Sequence, residues 1–179
     1  MVAMVLASLT ACSQPDPQAL TTDEADYNAV CDVDVRGWGV DDSLIYPVLV
    51  TPEPTLRTPL HTGRDYRVYY NVRIAPQYGY TTVPMQLLVQ QVDTLQGGHQ
   101  HVVHNLLRQS VNPAVRDSLG RPLGPTWGSY IDYEAPMPEG VVVRFDSAGT
   151  YRMILTPLLP DQTALRHVAS VGLSLHLLR

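Results

Sequence analysis

The clearest pattern along the chain is a two-residue alternation of apolar and polar positions between residues 66 and 74. Tyr66, Val68, Tyr70, Val72 and Ile74 fall on one side, with Arg67, Tyr69, Asn71 and Arg73 on the other. That is the period of a strand with one buried face. Met85 to Val92 predicts a second strand, and Gly97-Gly98 gives the backbone freedom to reverse before His101 to Gln109, so these two read as a hairpin. Val141 to Phe145 predicts a short strand, Ser147-Ala148-Gly149 a turn, and Thr150 to Thr156 a strand stopped by Pro157. In the last predicted strand, Val168 to Leu177, the apolar Val171, Leu173, Leu175 and Leu177 alternate with Gly172, Ser174 and His176. Asp117-Ser118-Leu119-Gly120 has the Asp-first, Gly-last signature of a type I turn, and Gly124, Pro125 and Gly128 extend it into a long structured loop reaching Tyr133. Asp161 to His167 predicts one or two helical turns.

Fifteen Pro and twelve Gly, spread between short apolar segments, argue against long helices. About seven strands at this spacing, with no βαβ crossover, predict an all-β fold: an antiparallel β-sandwich of two packed sheets, Ig-like or jelly-roll-like. No internal repeat is visible.

The N-terminus follows a different pattern. Met1 to Ala11 is an apolar run without acidic residues that ends in Leu9-Thr10-Ala11-Cys12, the pattern of a bacterial lipoprotein signal peptide. It is shorter than the roughly 20 residues a membrane-spanning helix needs. The expected organisation is therefore a signal peptide over 1–11, a lipidated Cys12 with a flexible stalk over 12–34, and a single β-sandwich domain over 35–179. Ser13-Gln14-Pro15-Asp16-Pro17 opens that polar, aperiodic stalk. With Cys12 acylated, Cys31 is expected as a lone small residue beside the tether. The alternative is a Cys12–Cys31 disulfide in a non-lipidated protein. Residue 13 is Ser, not Asp, so the outer membrane, facing the periplasm, is the expected address.

Charge excludes some partners. The net charge is −5, with twelve basic residues, all Arg, scattered along the chain, so no basic stripe suits nucleic acid. Candidate chemistry is thin. His99, His101 and His104 invite a metal, but on a regular strand His99 and His101 share one face and His104 takes the other, so no metal site is expected. There is no Gly-x-Ser-x-Gly around Ser110 or Ser129, and Cys31, next to the stalk, lacks a base to activate it. Asp132, Glu134 and Glu139 are close in sequence but sit among Pro136, Pro138 and Gly140, as on a solvated loop. Gly120, Gly124 and Gly128 lack the Lys-Ser/Thr of a phosphate loop. The expectation is a non-enzyme with no cofactor beyond the lipid on Cys12 and no small-molecule substrate.

What stands out is aromatic content in Gly- and Pro-rich segments. Tyr78, Tyr80, Trp127, Tyr130 and Tyr133 are the candidate partner-binding residues. Such rings on a β-sandwich suit protein partners or, alternatively, carbohydrate or peptidoglycan.

The order of features resembles one family. Trp38 precedes the strands, Tyr66-Arg67-Val68-Tyr69-Tyr70-Asn71-Val72-Arg73 leads to Tyr78-Gly79-Tyr80, and Asp117-Ser118-Leu119-Gly120-Arg121-Pro122-Leu123-Gly124 follows. Phe145-Asp146-Ser147-Ala148-Gly149-Thr150-Tyr151 and Val171-Gly172-Leu173 complete the series. Together with the lipoprotein signal this resembles GldH, the gliding-motility lipoprotein family of the Bacteroidetes, from Trp38 to the C-terminus. Pro122 stands where the family usually has Trp, and Trp127 lies a few residues on. The resemblance implies a non-enzymatic, membrane-anchored, periplasm-facing component of the gliding and type IX secretion machinery, acting through other lipoproteins or outer-membrane components.

Overall fold

A computed structural model describes residues 25–34, 36–94, 99–159 and 164–178. Cys12 and the predicted signal peptide lie outside them. In chain order the strands are β1 (Tyr27–Asp32), β2 (Trp38–Gly39), β3 (Leu44–Val50), β4 (Asp65–Ile74), β5 (Met85–Thr94), β6 (Gln100–Val111), β7 (Thr126–Trp127), β8 (Tyr130–Pro136), β9 (Val142–Arg144), β10 (Gly149–Pro157), β11 (Ala164–Leu165) and β12 (Val168–Leu177). A 3-10 turn, Pro138–Gly140, joins β8 to β9.

The strands form two antiparallel sheets with their apolar faces together, the predicted β-sandwich. One sheet runs β1-β12-β4-β8-β7, with β9 also on β4; the other runs β3-β10-β5-β6; β11 and β2 make a small separate pair. The alternation read from residues 66–74 sets the first sheet. Tyr66, Val68, Tyr70, Val72 and Ile74 are all buried, and they lie beside Val171, Leu173 and Leu175 of β12. Met85, Leu87 and Val89 of β5 and Tyr151, Met153 and Leu155 of β10 supply the opposing layer. Buried tyrosines settle their hydroxyls locally: Tyr46 donates to the Val171 carbonyl (2.7 Å) and Tyr70 to the Ala114 carbonyl (3.1 Å). A buried hydroxyl without such a partner costs free energy.

Several expectations are corrected. β1 lies inside the segment expected as stalk, because Ala29 and Cys31 bury their side chains while the strand pairs with β12 from Tyr27↔Leu175 to Asp32↔Ser170. The folded domain thus includes residues 27–32, and 12–24 of the expected stalk fall outside the described residues. Cys31 is a core residue, 3% exposed, and is disulfide-bonded, not a lone free thiol. Ala164–Leu165 pairs as strand with Trp38–Gly39, where helical turns were predicted. The stretch read as one long loop to Tyr133 contains the β7–β8 hairpin, and β8 occupies one edge of β4 from Ile74↔Ile131 to Tyr69↔Pro136.

The histidines also differ. The β5–β6 hairpin is present, but its ladder breaks register between Val89/Gln90 and between Gln91/Val92. The second of these bulges pairs His101 with Asp93 and His104 with Gln91, partners two residues apart, so His101 and His104 share a face. His99 precedes the strand. Among the described residues no group of three His, Cys, Asp or Glu could hold a metal ion.

The sandwich has two distinct ends. The first is where β1 begins and β12 stops, and the 51–64 loop lies there through the Gly63 N–H to Phe145 carbonyl bond (2.8 Å). At the second lie the 75–84 and 112–125 loops and the tip of the β7–β8 hairpin, because β4 ends and β5 begins there.

Candidate functional site

The second end gathers the segments that carried the aromatic candidates. The 75–84 loop and the loop after β6 are joined by backbone bonds: the Val115 and Arg116 N–H groups both donate to the Thr81 carbonyl (2.8 and 3.1 Å), and Val83 N–H donates to Pro113 (2.9 Å). Arg116 spans the two, its guanidinium donating to the Gly120 carbonyl (2.9 Å) and to the Pro76 carbonyl (2.8 Å).

The predicted type I turn is present. Gly120 N–H donates to the Asp117 carbonyl (3.0 Å), and Gly120 has φ +76°, the left-handed region that glycine enters without a Cβ penalty. The Asp117 carboxylate holds the turn by accepting from the Leu119 and Arg121 N–H groups (2.9 and 2.8 Å) and from Arg121 Nε (2.7 Å). Those donors, the Arg121 backbone first, pull the Asp117 carboxyl below the usual carboxylate range. Farther along, Leu123 N–H donates to the Tyr133 hydroxyl. Gly124 lies against the Asp132 carbonyl so closely that any Cβ there would collide with backbone.

Of the five aromatic candidates, two are therefore core residues. Tyr78 is 2% exposed and donates its hydroxyl to the Thr82 carbonyl (2.7 Å); Tyr133, 6% exposed, faces inward from β8. They build the loops from beneath and cannot meet a partner directly. Tyr80 is 40% exposed and packs edge-on against Tyr78, with centroids 5.5 Å apart. Tyr130 is 42% exposed at the start of β8. Trp127 lies in β7, paired with Tyr130.

The reading from aromatics missed the aliphatic residues of the same end. Leu119 and Leu123 are 75% and 56% exposed on the pinned loop. Their signal was an apolar residue inside a Gly- and Asp-rich turn, where a polar residue serves the turn equally well.

Next to this end, the outer face of the first sheet carries an ion pair. Arg73 Nε and Nη2 grip the two oxygens of Asp132 at 2.7 and 2.9 Å, the bidentate geometry of a strong pair. Arg73 holds the Asp132 carboxyl below its ordinary range, with burial opposing. Asp132 and Glu134, expected on a solvated loop, thus stand on one face of β8. Glu134 Oε1 lies 3.4 Å from the hydroxyl of the buried Ser174, which is also 3.3 Å from His176 Nε2.

The fold and this end of pinned loops define an all-β domain with exposed leucines on one set of hydrogen-bonded loops. Searches against protein-family models, curated proteins and solved structures return no match to this chain.

Proposed function

We propose that the protein is a membrane-anchored, periplasm-facing lipoprotein that acts without catalysis, by protein contacts, as an assembly or stabilising component of a gliding-motility or type IX secretion machine. The observation that carries the contact surface is the loop pair at the second end, where Arg116, Asp117 and the Tyr133 hydroxyl hold Leu119 and Leu123 exposed. A loop already fixed in one conformation loses little entropy on docking. The described chain begins beside Leu177, at the opposite end. A tether attached there leaves the loop end directed away from the membrane, and tethering raises the local concentration at which weak contacts are occupied.

The assignment to gliding machinery rests on the resemblance in sequence, and two of its motifs form the loops of the contact surface. Tyr66–Arg73 is most of β4, Tyr78-Gly79-Tyr80 and Asp117–Gly124 are the joined loops, and Val171-Gly172-Leu173 is the middle of β12. At the other end of the sandwich, Phe145 and Tyr151 meet edge to face, with centroids 4.8 Å apart, around the turn between β9 and β10.

The bonded state of Cys31 favours a second reading, a secreted protein with a Cys12–Cys31 disulfide and no lipid. Intact mass spectrometry of protein purified from membranes separates the two. Acyl chains on Cys12 support the anchored reading; an unmodified polypeptide two hydrogens below the reduced mass supports the disulfide. In cells, a Cys12→Ala variant at native expression is expected to lose function while keeping its fold. Full activity of the soluble variant overturns the anchored reading.

A further inference from the structure

On the outer face of the first sheet, where it meets the loop end, lies a cleft of about 470 Å³. It exists because β12 is irregular at its start: the ladder with β4 shifts between Val168 and Ser170, and the Ala169 carbonyl turns to accept from Val33 N–H (2.9 Å). Small side chains at Ala75, Ala169 and Ser170 leave the space open. His167 lines the cleft with φ +67°, the only non-glycine among the described residues in the left-handed region, held there as its carbonyl accepts from Ala75 N–H (2.9 Å). Strain of this kind persists where the surroundings enforce it, and it concentrates at binding sites.

The lining selects a type of ligand. Tyr130 presents a ring that is 42% exposed, with the Arg73 guanidinium 5.9 Å from its centroid. Arg73 is committed to Asp132 through two bonds, and Asp32 stands in the same cleft. An anion would meet the Asp32 carboxylate and an arginine already paired with Asp132. What remains is a planar, fixed Arg73–Asp132 pair and the Asp32 carboxylate beside an aromatic face, which suits neighbouring hydroxyls on an otherwise apolar ring.

We propose that this cleft binds an uncharged, hydroxyl-rich ligand, a segment of a glycan chain, with Tyr130 as the stacking surface and Asp32, Asp132 and Arg73 as the hydrogen-bonding rim. The site is separate from the exposed leucines of the docking loop, so either proposal can fail alone.

The test uses the full-length purified protein on an array of N-acetylglucosamine, mannose, xylose and glucose oligomers, followed by calorimetry on those retained. At least one oligomer family is expected to bind, with affinity falling tenfold or more in Tyr130→Ala and in Asp32→Ala and unchanged in Leu119→Asp. Tyr130→Trp, which keeps a ring, is expected to retain binding, and circular dichroism confirms that each variant is folded. No retained glycan, or binding indifferent to both Tyr130→Ala and Asp32→Ala, overturns the proposal.

Discussion

The two ends of the sandwich both hold their loops by hydrogen bonds but differ in what fixes the backbone around their exposed leucines: bonds within one short turn at Leu56, bonds to other segments at Leu119 and Leu123. At the end where β1 begins, the 51–64 loop carries Leu56 wholly exposed; its side chain contributes nothing to the Thr55–Thr58 backbone bonds around it. At the opposite end, Leu119 and Leu123 are exposed on a segment fixed by an arginine fork, a bidentate turn carboxylate and a buried tyrosine hydroxyl. Single exposed leucines are ordinary on protein surfaces. An exposed leucine whose backbone is fixed from several directions is a surface with a defined shape, and shape is what a partner recognises. Under the proposed function, docking belongs to the loop end and attachment to the other.

The largest expected effect erases the difference between the ends. Leu173→Ala removes a fully buried side chain from the middle of β12 and is expected to destabilise the whole domain by about 2–5 kcal/mol, measured by denaturant unfolding, with exchange protection falling at both ends together. Gly124→Ala sharpens the comparison, since its Cβ meets the Asp132 backbone. It is expected to cost about 1–3 kcal/mol, in the range of a strained backbone site, and to speed amide exchange in 115–124 while leaving 51–64 unchanged. Tyr133→Phe removes one of the two acceptors of the Leu123 N–H, which also reaches the Val115 carbonyl (3.2 Å), so at most about 1 kcal/mol is expected, again confined to the loop end. Leu119→Asp is expected to move stability by less than about 0.5 kcal/mol while abolishing partner capture.

Acid supplies a further contrast. The carboxyls of Asp117 and Asp132 are both held below their ordinary range by arginine and backbone donors at the loop end. Groups whose folded value is depressed add stability above the unfolded value, about 3.9, and that stability is lost as pH falls through the folded value. Exchange protection of the loop end is thus expected to be flat from pH 8 to 5 and to decline below about pH 4. Asp117→Asn is expected to remove its share of that decline.

How far the sequence carried these conclusions differs by element. β4, β10 and β12 were legible because one face meets the core and the other water, so the two-residue period survives in the residues themselves. β3 escaped because Leu44-Ile45-Tyr46-Pro47-Val48-Leu49-Val50 is almost continuously apolar and includes a proline. The structure tolerates Pro47 because β3 is an edge strand, and Pro47 offers its carbonyl to the Tyr27 hydroxyl (2.9 Å). β1 escaped because its exposed positions, Val30 and Asp32, hid the buried Ala29 and Cys31 beside a polar N-terminal stretch. At the candidate site, composition pointed to loops that the fold brings together at one end, but it read the buried Tyr78 and Tyr133 as exposed. A tyrosine among glycines and prolines reads as exposed until a backbone carbonyl or N–H within reach shows that its hydroxyl can be satisfied indoors. Local bulges such as those in β6 depend on pairing with a partner strand, and no run of residues announces them.

The docking claim is tested most directly by placing a photocrosslinking residue at position 119 or at position 56 in cells with the native signal sequence retained. Crosslinks from position 119 to a component of the gliding or secretion machinery, with none from position 56, are expected. Crosslinks to that machinery from position 56 and none from position 119 would contradict the assignment of docking to the loop end.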